Sequence, residues 1–146
     1  MRSEGVTLRA ADADALPYVE RLLERHGLPT ADIRDAGDFY IAISDDQRVG
    51  IGGLEQYGTD ALLRSLVVEQ SVRGSGIGSA VCAALEDTAR HEGVETCYIL
   101  TTTAADFFAA RGYEEIERAR VPTAIAETTE FSDLCPSAAV CMTKDL

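Results

Sequence analysis

Leu66-Val67-Val68-Glu69-Gln70-Ser71-Val72-Arg73-Gly74-Ser75-Gly76-Ile77-Gly78-Ser79 decides how the rest of the chain is read. An apolar run ends at Val68 and a short polar turn follows. Glycines then occupy positions 74, 76 and 78 as a helical pattern begins. The order predicts a strand, a glycine-rich loop and a helix N-terminus. Glycine turns with positive φ and puts no Cβ in a ligand's way. The first N–H groups of a helix have no partner inside it, and the helix dipole favours negative charge there. The combination predicts a phosphate site made of backbone. Its plainer alternative is a turn that only starts a helix.

Two common phosphate loops are excluded. A Walker loop ends in Gly-Lys-Ser or Gly-Lys-Thr, and the only lysine is Lys144. A dinucleotide fingerprint needs its last glycine three residues after the second, which this spacing does not give. The loop instead resembles the acyl-CoA pyrophosphate loop of the GNAT superfamily of N-acetyltransferases: Arg or Gln, two residues, Gly, one residue, then Gly or Ala. Arg73, Gly76 and Gly78 match in place.

Working outward, Val6–Ala10 alternates as a first strand, and Asp12 or Asp14 caps a helix striped by Leu16, Val19, Leu22 and Leu23. Asp38–Ser44 and Arg48–Tyr57 form a hairpin across Asp45-Asp46-Gln47. Gly50, Gly52 and Gly53 in its second strand predict a bulge or a close backbone approach. Ala61–Val68 is a central strand and Gly76–Glu92 a helix. Cys97–Leu100, Ala104–Arg111, Tyr113–Ile116, Pro122–Thr129 and Ala138–Thr143 follow as strand, helix, strand, helix and strand. The class is α/β in a single domain over residues 1–146.

That order is also the GNAT order, so the resemblance covers nearly the whole chain. Phe107-Phe108-Ala109-Ala110-Arg111-Gly112-Tyr113 is its second anchor. The fold implied is a mixed sheet of about six to seven strands, with a splayed pair holding acyl-CoA and about four flanking helices. Leu62–Val68, Thr101-Thr102-Thr103 and Leu134–Met142 resemble the acetyltransferases of arsenic-resistance operons, relatives of the phosphinothricin type.

At 146 residues the chain can bury its own core, and 46% of it is hydrophobic. No apolar run is long enough to span a bilayer, and the N-terminus lacks a signal peptide's apolar region. A cytoplasmic protein is expected. The net charge is −12, and 12 of the 13 basic residues are arginine. Such a surface repels nucleic acid and anionic lipid, so neither is an expected partner. It suits a salt-rich, halophilic cytoplasm, or reflects an arginine-rich genome. Cys82, Cys97, Cys135 and Cys141 make no disulfide framework and no metal motif, and a homodimer is allowed.

The resemblance implies acetyl-CoA as cosubstrate, transferred to the amine of a small, anionic, amino-acid-like substrate such as arsinothricin or phosphinothricin. It places backbone of Arg73, Gly74, Ser75, Gly76, Ile77, Gly78 and Ser79 on the pyrophosphate. Leu66, Val67 and Val68 line the pantetheine arm, and the Val68 N–H faces the thioester oxygen. Relatives often carry a tyrosine acid where Phe108 stands; this ring can only pack beside the cofactor. A CoA thiolate leaves without much help, having a pKa of roughly 8.5. Glu55 is the candidate base, with Glu69 behind it; a surface glutamate is the plainer reading. Arg64, costly in an apolar strand, either clamps an anionic substrate or bridges to an acid. Thr101 and Thr102 offer hydroxyls to substrate. Cys135 and Cys141 bind a thiophilic arsenical or are inert. The other classes are a weakly catalytic acetyl-CoA-binding module, a thiol-based arsenical sensor and a protein acetylase.

With a charge of −12, self-repulsion opposes folding in dilute buffer and counterions relieve it. The melting temperature, followed by calorimetry, therefore climbs steeply from dilute to molar KCl; a flat profile removes the halophile reading.

Overall fold

In the computed structural model the described residues are 6–12, 14–25, 38–69, 76–101, 104–126 and 140–146. They form a seven-stranded sheet with helices on both faces. The strands are β1 (Thr7–Ala10), β2 (Asp38–Ser44), β3 (Gln47–Tyr57), β4 (Asp60–Val68), β5 (Thr96–Thr101), β6 (Glu114–Glu115) and β7 (Val140–Asp145). Their spatial order is β1-β2-β3-β4-β5-β7-β6. Only β4 and β5 run parallel, joined through helix α2 (Ile77–His91); every other pairing is antiparallel. The remaining helices are α1 (Leu16–Arg25), α3 (Ala105–Ala110) and α4 (Thr123–Ala126).

Local chemistry accounts for the elements. Asp45 and Asp46 hold φ of 51° and 62°, and Ser44 pairs with Gln47. This left-handed two-residue turn matches the twist of the hairpin, and aspartate tolerates it. Asp12 is the residue that caps α1, accepting from the Ala15 N–H at 3.0 Å. α1 then buries Val19, Leu22 and Leu23 against Phe39, Ile41, Ile51 and Val67. On the opposite face α2 sets Val81, Cys82, Leu85 and Ala89 over Leu54, Leu63, Cys97 and Ile99. α4 seats Ile125 on Leu62 and Cys141. A Cβ on Gly52 would lie 2.4 Å from Leu85 Cδ1, so α2 docks on a bare patch of β3.

Two irregularities shape the centre of the sheet. Ile51 pairs with Val67 and Gly53 with Arg64, so Ser65 and Leu66 both stand opposite Gly52. This is a bulge on β4, which bends a strand and increases its twist. On its other edge β4 pairs with β5 only through Asp60–Thr96, Ala61–Cys97 and Leu62–Tyr98. Both strands continue, to Val68 and Thr101, without further pairing to each other. They splay apart, as the resemblance implied.

Beneath α2, Lys144 Nζ pairs with Glu86 at 3.1 Å, and Cys82 Sγ lies 3.8 Å from the same carboxylate. Burial first, and Glu86 second, push the Cys82 and Cys97 thiols from 9.0 up to about 12. Folding thus favours the neutral thiols. Their contribution to stability is complete below pH 9 and is lost as the pH rises toward about 12. Denaturant titrations should show stability falling across that window. Iodoacetamide at pH 8 should label neither thiol in the native protein, because the thiolate is the nucleophile.

Candidate active site

The gap between β4 and β5 opens toward the N-terminus of α2, where Gly78 lies close to Val68. Strand amides alternate in direction. The Glu69 N–H donates to the Val49 carbonyl on β3 at 2.8 Å, so the Val68 N–H points away from β3, into the gap. Val67 offers only backbone there, because its side chain is buried against α1. Leu66 belongs to the bulge and packs toward α2.

Gly76 begins α2 with φ 82° and ψ 4°, and no side chain caps the helix. A Cβ on Gly76 would meet nothing within 4 Å. Ile77, Gly78 and Ser79 supply the first helical amides, which lack partners inside a helix. Amides so placed can accept an anion. The Gly78 Cα faces the Phe107 ring, 3.4 Å from a Cβ built there. Arg73, Gly74 and Ser75 lie outside the described residues.

Glu55 and Arg64 form one buried pair, the bridge to an acid that was one of the two readings of Arg64. Arg64 Nη1 donates to Glu55 Oε2 at 2.9 Å, and Tyr57 Oη donates to Glu55 Oε1 at 2.7 Å. Glu55 is 5% exposed and Arg64 3%. The guanidinium also sits 5.6 Å from the Phe39 ring. Both charges lie on the α1 side of the sheet, beyond Leu62, where β4 has left β5. Proton transfer to Glu55 would leave the Arg64 charge buried without its counter-charge, which is costly. Glu55 is thus a buried, engaged carboxylate and not a surface glutamate.

Glu69 is also engaged. It accepts from Tyr18 Oη at 2.7 Å and from Arg25 at 3.3 Å, joining α1 to the end of β4. Burial raises the Tyr18 pKa well above the usual phenol value, and the Glu69 hydrogen bond adds to it. Thr101 Oγ1 accepts from the Ala104 N–H at 2.9 Å, so it holds the start of α3. Thr102 and Cys135 lie outside the described residues, and Cys141 is buried in the α4-side core. Phe108 is buried too. Its ring meets Phe107 edge-on at 5.0 Å and Tyr113 at 5.6 Å, away from the gap. Phe107, not Phe108, lies beside the α2 N-terminus.

Three residues escaped the sequence reading. Tyr57 had a usable signal, standing two residues from Glu55 on the same face of a strand. Phe39 and Arg111 had none, since their partners Arg64 and Ser79 are distant in sequence. Arg111 reaches the Ser79 hydroxyl at the first turn of α2.

Known proteins resemble this chain in sequence and in fold. A family model described as an acetyltransferase (GNAT) domain matches residues 35–115. An uncharacterized N-acetyltransferase of Chlorobaculum tepidum is 30% identical over 124 residues, 80% of this chain and 79% of that protein. An amino-acid acetyltransferase of Ectopseudomonas mendocina is 38% identical over 69 residues, 47% of this chain but only 16% of that protein. The fold matches N-acetylglutamate synthase from Neisseria gonorrhoeae, solved with coenzyme A and N-acetyl-glutamate. The TM-score is 0.80 at 20% identity, over 97% of this chain and 35% of that one.

Gly76→Val tests the cradle. Its side chain enters open space, so the structural cost is confined to the left-handed backbone, about 1–2 kcal/mol. Calorimetry should show acetyl-CoA binding abolished while circular dichroism stays native. Parent-like binding would place the anion elsewhere.

Proposed function

This chain belongs to the acetyltransferase (GNAT) family and is an acetyl-CoA-dependent N-acetyltransferase, and we propose that its acceptor is the amine of a small amino acid whose carboxylate is met by Arg64. The observation that carries this reading is a guanidinium buried on the α1 side of the splayed strand, held by Glu55 and Phe39. An amino-acid acetyltransferase and an N-acetylglutamate synthase among the similar proteins support the same class.

The residues divide the work. The α2 amides and the Val68 N–H hold the donor, which supplies the acetyl thioester. The Val68 N–H lies where negative charge develops on the thioester oxygen and supports it there. Arg64 orients the acceptor through its carboxylate, and Glu55 with Tyr57 fixes the guanidinium. Glu55 is thus a positioning residue, and the acceptor's amine loses its proton to water before attack. No tyrosine acid is required, because the thiolate is a good leaving group.

Arsinothricin and phosphinothricin remain members of the acceptor class to be assayed, on the resemblance of Leu62–Val68 to the arsenic-resistance branch. A cytoplasmic enzyme acting on free small molecules, without nucleic acid or membrane partners, fits the charge of −12. No helix among the described residues is long and apolar enough to cross a membrane. One observation favours a second reading, an acetyl-CoA-binding module with weak catalysis: both candidate bases are engaged by other side chains. Efficient turnover of any amino acid removes it.

Two variants separate structure from function. Glu55→Gln leaves a buried charge unmatched and should cost about 3–5 kcal/mol in denaturant melts. The double variant Glu55→Leu with Arg64→Met removes both charges and should recover most of that stability. It should still bind acetyl-CoA, yet show an acceptor KM raised about 10- to 100-fold for a carboxylate-bearing amine, the loss of one charged hydrogen bond. An unchanged KM would move the carboxylate site away from Arg64. A Glu55→Gln defect confined to kcat and shrinking as pH rises would restore Glu55 as the base.

A further inference from the structure

We propose that Arg111 binds the diphosphate of the acyl donor, closing the anion cradle from the α3 side. The inference rests on the acetyl-CoA reading and adds a cation that neither the loop motif nor the resemblance supplies. Arg111 follows α3, and its guanidinium contacts the Ser79 hydroxyl in the first turn of α2. That end of a helix carries the positive pole of the dipole, and cations are favoured at the other end. A cation held at the positive pole is an arrangement that a bound anion resolves.

The surroundings of Arg111 support this. The chain has 25 acidic residues, yet none among the described residues pairs with Arg111. A guanidinium has five N–H donors in a fork suited to phosphate, and Ser79 takes one. The position is built rather than incidental. Phe107 and Arg111 lie four residues apart on the same side of α3, and the guanidinium sits 5.6 Å from the Phe107 ring. The ring itself rests against Gly78. α3 thus presses an aromatic onto the start of α2 and carries a cation over it. Arg64, Arg25 and Arg90, by contrast, are paired with carboxylates.

The test compares the parent, Arg111→Met and Arg111→Lys. Binding of CoA and dephospho-CoA is read by calorimetry, and binding of pantetheine by NMR titration. Met keeps the stem over Phe107 and removes the charge. It should weaken CoA and dephospho-CoA equally, by about 10- to 100-fold, the range for one charged hydrogen bond. Pantetheine binding should not change. The slope of log Kd against log salt should fall for Met and persist for Lys. Equal weakening of pantetheine would make Arg111 a packing residue. Weakening of CoA alone would assign it to the 3′-phosphate, and undiminished binding of both nucleotides would remove it from the site. All three outcomes overturn the proposal. Failure of the acetyl-CoA reading itself would show earlier, as a parent that binds neither nucleotide.

Discussion

The separation of β4 from β5 after Leu62 and Tyr98 is the constraint on which the site depends. Parallel strands that stayed paired would use up the amides of both edges. Because these diverge, β5 does not occupy the β4 edge past Leu62, the geometry on which strand addition by a ligand's polar groups depends. The bulge at Ser65 and Leu66 bends β4 away while leaving its other edge paired with β3. The wedge is kept open by packing on both faces. α2 covers Leu63 and Ile99 on one side, and α4 sits on Leu62 and Cys141 on the other.

A buried ion pair beside that wedge is a specific choice. Two well-packed apolar side chains would give as much stability or more, so the pair is weak evidence for stability and better evidence for function. Its construction leaves little freedom. Tyr57 and Arg64 occupy different oxygens of Glu55, and Phe39 faces the guanidinium. Gly53 makes room, since a Cβ there would crowd both Phe39 and the Arg64 stem.

Much of this was legible in the sequence, because the signals were local. Glycine spacing, alternation in Asp38–Ser44 and the helical stripe of Ile77, Val81, Leu85 and Ala89 placed the main elements within a residue or two. The strand expected over Tyr113–Ile116 was read longer than it is: β6 spans only Glu114–Glu115, since only these two residues ladder onto β7. The side-chain partnerships were not legible. Glu55 and Arg64 were each recognised as anomalous, but whether they meet depends on the β3–β4 register. That register runs unbroken from the Tyr57–Asp60 turn to Gly53 and Arg64, short of the bulge, and no propensity encodes which side chains meet across it. Phe108 was assigned to the cofactor because a motif aligned; the Phe107 ring is the one that lies against Gly78 at the start of α2, with Phe108 packed on Phe107 and Tyr113. The arsenic-resistance resemblance drew on Thr102, Thr103 and residues 134–139, which lie outside the described residues.

The charge distribution joins these parts into one argument. A chain with a net charge of −12 must bind a polyanionic donor against its own field. Scattered surface cations would serve poorly, because at physiological salt charges farther apart than about 8 Å are largely screened from one another. The effective solution is local: backbone amides at the start of α2, whose partial charges cannot be titrated away, with few competing carboxylates nearby. The first turn of α2 contains no acidic residue. The acids on α2, Glu86 and Asp87, come later, where Lys144 and Arg90 neutralise them. The protein can thus be strongly acidic overall and still present a positive cradle to its donor.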